Sequence, residues 1–251
     1  MLALFTDFGL QGPYVGQLKL VLQQRAPAVP VIDLFHDVPV FDSQGAAYLL
    51  AAYVTEFPVG TVFIGVIDPG VGSNRPGLIL HADGRCFVGP DNGLFDRVAA
   101  RANQAQTWHI TWRPERLSAS FHGRDWFAPV AAMLACGVAT PERLGTPIVV
   151  PPLGWPDDLA RIVYIDRFGN AMTGIRAQVV DKQATVLVEG EYLPWARTFS
   201  DVPVGQGFWY ENANGLLELA VNQGNAAQRF KLCPGTRLQV LGNVSSVIRD
   251  S

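Results

Sequence analysis

Apolar positions along the first half of the chain alternate between two periods. Leu2 to Phe5 is a short apolar run that ends at Thr6-Asp7-Phe8-Gly9, the pattern of a buried strand followed by a loop. Tyr14 to Gln24 has helical spacing, with Val15, Leu18, Leu20, Val21 and Leu22. Val29 to Phe35 is a second apolar run, cut off by His36-Asp37. Ser43 has the chemistry of a helix N-cap and precedes an Ala- and Leu-rich stretch reaching Glu56. Thr61 to Ile67 is continuous and β-branched, and stops at the breaker cluster Asp68-Pro69-Gly70-Val71-Gly72. Gly77 to His81 and Arg85 to Val88 flank Ala82-Asp83-Gly84, a hairpin signal. Asn92 to Ala102 predicts a helix, Thr107 to Thr111 a strand, and Phe127 to Cys136 a helix. Strands buried on both faces and alternating with helices predict an α/β domain with a largely parallel sheet.

The period changes near Val149-Val150-Pro151-Pro152-Leu153-Gly154. Beyond it short strand-like runs dominate: Arg161 to Ile165, Thr185 to Val188, Gly215 to Val221 and Arg237 to Leu241. The expectation is an N-terminal α/β domain over residues 1–150 and a small antiparallel β-barrel or sandwich domain over 151–251.

Composition narrows the function classes. Charged residues are only 16% of the 251, against about 25% in an average protein, which favours a chain that hides surface by self-association. The net charge is −3 and no Lys/Arg run appears, so a nucleic-acid or anionic-membrane surface is not expected. Cys86, Cys136 and Cys233 lie far apart, in no zinc or redox spacing, which fits a reducing cytoplasm. The N-terminus lacks a basic segment and meets an acid at Asp7, unlike a signal peptide, and no apolar stretch reaches the roughly 18 residues that span a bilayer.

Ligands of α/β sheets bind beyond the carboxyl ends of the strands. Asp7, Asp37 and Asp68 fall at such ends, and a fourth polar cluster, Phe121-His122-Gly123-Arg124-Asp125, precedes a helix. Each alone reads equally as turn polarity. Gly70-Val71-Gly72-Ser73-Asn74-Arg75 begins like a dinucleotide fingerprint but has Arg75 in place of the third glycine and a strand after it. The four histidines have no metal-ligand spacing, so no metal is expected. What remains is an acid, a guanidinium and an imidazole: Asp68, Arg75 and His122. Two readings stand: a loop ion pair beside a packed histidine, or a site that orients one water.

These segments resemble the S-adenosylmethionine hydroxide adenosyltransferases, hydrolase relatives of the fluorinating and chlorinating enzymes. The resemblance rests on Thr6-Asp7-Phe8-Gly9, Tyr14 to Lys19, Phe57 to Val62, Asp68 to Gly72 with Arg75, Pro90 to Leu94, Phe121 to Asp125 and Ile165 to Asn170, in this order over nearly the whole chain. It implies the two-domain fold, a homotrimer with sites between subunits, and hydrolysis of S-adenosylmethionine to adenosine and methionine without cofactor or metal. Asp68, Arg75 and His122 would hold the attacking water or hydroxide. Asp7 would hold the ribose hydroxyls and Phe41 would pack on the substrate. Asp166 and Asn170 would reach the methionine or adenine edges, and Phe168 would stack on the base. Asn212, Glu218 and Val221, the last through its backbone, would line the amino-acid and adenine end.

The halogenases carry Tyr where this chain has Asp68, and Tyr-Ser where it has His122-Gly123, which favours water as the nucleophile. Two positions depart from the family pattern: Ala213 in Asn212-Ala213-Asn214-Gly215, and Gly174 in Thr173-Gly174-Ile175. They leave open a non-catalytic adenosine or S-adenosylmethionine binding protein, and a hydrolase of another adenosyl compound.

Overall fold

A computed structural model describes residues 1–151 and 153–242, which form two compact units, the first ending at Leu153 and the second beginning at Gly154. In the first unit β1 (Leu2–Thr6) is buried along its whole length, as a strand covered on both faces must be. Helix α1 (Tyr14–Arg25) leads to β2 (Val31–Phe35), and α2 (Ser43–Tyr53) leads to β3 (Val62–Val66). The hairpin of β4 (Gly77–Ala82) and β5 (Arg85–Pro90) follows, then α3 (Asp96–Arg101) and β6 (Ala105–Ile110). Helices α4 (Ala128–Ala135) and α5 (Pro141–Leu144) precede β7 (Gly145–Ile148).

The seven strands form one sheet in the order β2-β1-β3-β5-β4-β6-β7. Strands β2, β1, β3 and β5 run parallel, and β4, β6 and β7 add antiparallel pairings. Alternation along β1 sends Leu2 and Leu4 into the cluster with Leu18 and Leu22 of α1 and Val130 and Ala131 of α4. Phe5 faces the other way and meets Phe35 edge-on at 5.6 Å, and Phe35 meets Tyr53 of α2 at 5.1 Å.

Several boundaries differ from the sequence expectation. The cap of α2 is Asp42, whose carboxylate accepts the Gly45 N–H at 2.9 Å, so Ser43 is the first helical residue. The helix expected from Asn92 begins at Asp96, because Asn92 spends its side chain on a turn: Nδ2 donates to the Ile67 carbonyl and Oδ1 accepts the Leu94 N–H. The run ending at Phe35 is an edge strand, with Ile32 41% exposed, rather than one buried on both faces.

In the second unit β8 (Leu159–Ile165), β9 (Ala171–Arg176), β12 (Gly207–Glu211) and β13 (Leu216–Val221) form an antiparallel sheet in the order β12-β13-β9-β8. A second sheet has β11 (Glu191–Leu193), β10 (Thr185–Val188) and β14 (Gln239–Leu241), with the short helix α6 (Ala226–Phe230) after β13. Bridges Arg161–Arg237 and Trp195–Trp209 join the two sheets at both edges, closing the strands into a small barrel. Strands β9 and β12 and, in the first unit, β7 lie outside the runs singled out from sequence. Trp209 fills the barrel core, and its indole N–H donates to the Ala184 carbonyl at 2.9 Å.

Asp158 is wholly buried and accepts the Arg176 backbone N–H at 2.8 Å and its guanidinium at 2.9 and 2.6 Å. Asp158→Ala leaves those donors unpaired and is expected to cost about 3 kcal/mol. The measurement is the urea midpoint of the unfolding transition followed by tryptophan fluorescence; an unchanged midpoint refutes it.

Candidate functional site

Parallel pairing of β1 with β3, in which Thr6 opposes Val66, brings the ends of both strands to the same edge. Asp7 follows one and Asp68 the other. Asp7 is half-buried, and its Oδ2 accepts the Phe41 N–H at 3.1 Å. Burial pushes the Asp7 carboxyl above the usual range; the Phe41 N–H works against that and the nearby Asp68 adds to it. Phe41 is 69% exposed and its φ of 65° lies in the left-handed region, strained for a side chain of this size.

The breaker loop after β3 folds back on itself. Asp68 Oδ1 accepts the Gly70 N–H at 3.2 Å, and Asp68 Oδ2 accepts Arg75 Nη2 at 2.5 Å. The Ser73 hydroxyl donates to the Gly70 carbonyl and accepts the Arg75 N–H. Gly72, with φ of 83°, approaches Ala119 so closely that a Cβ would sit 2.6 Å from the Ala119 carbonyl oxygen. That contact docks the Asp68 loop on the segment carrying His122. His122 is buried at the head of a π-helical turn, Gly123–Phe127, that runs into α4. Single π turns recur at functional sites.

Arg75 and His122 line one cavity of about 370 Å³ with Ser73, Asn74, Arg113 and Trp126. Arg75 Nε and His122 Nδ1 are buried and have no hydrogen-bond partner. Such orphaned atoms are uncommon in native proteins and mark a place for a small polar ligand. Burial pushes the His122 imidazole below its usual value; Arg75 and Arg113 push the same way, while Asp68 and Asp125 oppose them. The ring is therefore neutral near pH 7 and offers one nitrogen as acceptor. Arg75 loses some basicity to burial and regains part from Asp68.

Asp7, Asp68, Arg75 and His122 all belong to this first unit, and electrostatic coupling links Asp7 to Asp68 and Asp68 and Arg75 to His122. Arg113, whose guanidinium lies 3.7 Å over the Trp126 ring, was not singled out from sequence, and no motif marks it. A larger apolar cavity of about 550 Å³, lined by residues such as Leu78, Phe95 and Ile148, contains none of the expected site residues.

In the second unit Asp166, Phe168, Asn170 and Val221 line a cavity of about 540 Å³ with Phe199 and Gln223, two residues sequence reasoning missed. Asp166 ties the turn: its carboxylate accepts the Phe168 and Asn170 backbone N–H groups at 2.9 Å and the Asn170 side chain at 3.0 Å. Phe168 is left 75% exposed at the turn tip. Asn212 and Glu218 stand in an adjoining cluster. Glu218 is buried and accepts Asn212 Nδ2 and the Tyr210 hydroxyl, both at 2.7 Å. Burial raises its carboxyl, against the two hydrogen bonds and with a contribution from Asp166. Asn212 Oδ1 accepts the Asn214 and Leu216 N–H groups, so this amide already holds the β12–β13 turn.

Fold and clusters together define an α/β unit that pairs a carboxylate and a guanidinium beside a buried neutral imidazole, followed by a barrel with its own aromatic and acidic pocket. The model of the SAM hydroxide adenosyltransferase N-terminal domain matches residues 2–145, and that of the C-terminal domain matches residues 160–239. The chain belongs to this family. An (R)-S-adenosyl-L-methionine hydrolase from Thermus thermophilus is 39% identical over 255 residues, covering 94% of this chain and 97% of its own. A fluorinase from Nocardia brasiliensis is 25% identical, covering 96% of each chain. A solved protein of Thermotoga maritima superposes with a TM-score of 0.87 at 32% identity, over 96% of this chain and all of its own.

Burial and Arg75 together predict that His122 titrates below the ordinary imidazole value of about 6.5. Proton NMR of the His122 ring should place its midpoint there. Arg75→Gln should move the midpoint upward while leaving the larger, burial-driven part. A midpoint at or above the ordinary value refutes the assignment.

Proposed function

We propose that the protein hydrolyses S-adenosyl-L-methionine to adenosine and L-methionine by attack of water on the ribose C5′. The C5′–S bond breaks, its electron pair returns to sulfur, and the sulfonium leaves as the neutral thioether of methionine. The new C5′–O bond becomes the 5′-hydroxyl of adenosine, and the water proton passes to the site. The leaving group is neutral, so the reaction needs no general acid, only an aimed and partly desolvated oxygen.

One observation carries this reading: the Asp68–Arg75 pair with the buried, unpartnered Arg75 Nε and His122 Nδ1 beside it. A water there donates to Asp68 or His122 and accepts from Arg75 Nε. In this reading Asp7 holds the ribose hydroxyls and Phe41 covers the substrate. Asp166 and Asn170 bind the edges of the methionine or base, Phe168 stacks on the base, and Asn212, Glu218 and the Val221 backbone complete that end. Water is favoured over halide because a Cβ at Gly123 would already lie 3.2 Å from Phe8 Cζ, which crowds a serine hydroxyl there. The sulfonium sulfur is a stereocentre, and the name of the Thermus relative specifies the (R) epimer, which we assign as the preferred substrate.

We also assign a cytoplasmic homotrimer. The low charge content and the exposed Phe41 and Phe168 favour self-association, and three free cysteines suit a reducing compartment. Among the described residues no helix is long and apolar enough to cross a membrane. Light scattering should give three times the chain mass; a monomer overturns the assembly.

Purified protein in halide-free buffer is expected to release adenosine and methionine in equal amounts, faster from the (R) than the (S) epimer. In ¹⁸O-water the label should enter the adenosine 5′-oxygen. Asp68→Ala should lower kcat by about 10²–10⁴-fold. The rate should hold through neutral pH and fall only where His122 gains its proton, below the ordinary imidazole range. Binding without turnover overturns the enzyme reading.

A further inference from the structure

A chain of side-chain hydrogen bonds runs from the protein surface to the foot of the Asp7 loop. Lys19 Nζ donates to Asp33 Oδ2 at 2.9 Å. Asp33 Oδ1 lies 3.0 Å from His36 Nε2, and His36 Nδ1 lies 2.8 Å from Thr6 Oγ1. Thr6 Oγ1 in turn accepts the Phe8 N–H at 3.3 Å. The donors order themselves. Asp33 is an acceptor, so Nε2 carries the ring proton. In the neutral ring Nδ1 then accepts the Thr6 hydroxyl proton, leaving a Thr6 lone pair for the Phe8 N–H. The His36 backbone adds a further tie, its carbonyl accepting the Gly9 N–H at 2.6 Å. His36 therefore grips the Thr6–Gly9 loop from both ends, with Asp7 between them.

The connectivity resembles a nucleophile–imidazole–acid relay, but Thr6 is completely buried and His36 is 4% exposed. Neither reaches a substrate, so a nucleophilic role is ruled out. The outer members, Lys19 and Asp33, have side chains 42% and 44% exposed and anchor the ring rather than react. The other anchors of Asp7 are its own N–H, which reaches the Val66 carbonyl at a long 3.4 Å, and the Phe41 N–H, which meets Oδ2 at 3.1 Å.

We infer that His36 is the positioning residue for Asp7, its imidazole fixing the carboxylate that binds the ribose through the bond to Thr6, beside the backbone tie to Gly9. This rests on the reading of Asp7 as the ribose-binding acid. It predicts that loss of the imidazole weakens nucleoside binding through Asp7 alone.

The test is a double-mutant cycle on adenosine affinity by calorimetry, using the full chain and the variants Asp7→Ala, His36→Ala and both together. His36→Ala is expected to weaken adenosine about tenfold or more, since small misplacements of a positioning group have large effects. It should weaken it no further in the Asp7→Ala background. His36→Asn, which can restore the bond to Thr6 from the Nδ1 position, should recover part of the affinity and stands in if His36→Ala does not fold. An equal loss in both backgrounds, or no loss in either, overturns the inference. If Asp7→Ala alone leaves adenosine binding unchanged, the ribose assignment of Asp7 falls first, and that is read from the single variant before the cycle.

Discussion

Pairing of β1 and β3 in parallel is the constraint from which the rest follows. Parallel strands end on the same edge, so the residues just beyond Thr6 and Val66 must meet, whatever their chemistry. Here both are acidic within two residues of the strand ends, which costs free energy unless something offsets it. The burial that raises Asp7 and the repulsion from Asp68 are that cost. Arg75 supplies the compensation by bonding Asp68 at 2.5 Å with both side chains largely buried. Such a pair contributes little net stability against an apolar alternative. Its retention is better explained by the work of holding a carboxylate in one orientation.

The same environment suits the substrate charge. When the C5′–S bond breaks the sulfonium leaves as a neutral thioether, so positive charge is dispersed as the oxygen attacks. Removing water from such a reaction lowers its barrier, most of all when the oxygen has hydroxide character and opposite charges cancel. Phe8, Tyr14 and Phe121 pack at 5.4–5.9 Å from one another, Phe121 edge-on to both and Phe8 tilted to Tyr14, and a Gly123 Cβ would press on Phe8 and Phe121. Burial lowers the His122 imidazole in the same part of the unit, with Arg75 and Arg113 acting in the same direction.

Much of this was legible in the sequence, and the limits have physical causes. The buried runs at Leu2 and Thr61 stood out because strands covered on both faces are continuously apolar. Strands β9 and β12 did not, because residues such as Thr173, Gly174 and Tyr210 break the apolar run where a barrel strand alternates or bends. The motif order placed Asp68, Arg75 and His122, yet their approach depends on the Gly72–Ala119 contact, a through-space fit between segments far apart in sequence. Arg113, Phe199 and Gln223 carry no local signal at all; each is brought in by packing. Asn212 shows the converse. Its place in a motif was legible, but the bonds of its amide oxygen to the Asn214 and Leu216 N–H groups, which hold the turn, were not.

Choice of nucleophile comes down to donor and acceptor count as much as to size. A halide ion only accepts hydrogen bonds. Asp68 is itself an acceptor, and with Arg75 it forms a pair that is neutral overall, so an anion gains no net attraction from the two together. Water both donates and accepts, and can use the carboxylate, the Arg75 Nε–H and the neutral imidazole at once. Replacing Asp68 by a residue without negative charge would remove the acceptor that distinguishes water, while leaving Arg75 as an uncompensated anion site. On the proposed reading the carboxylate at this one position would bias the site toward water, in the same direction as the crowding at Gly123.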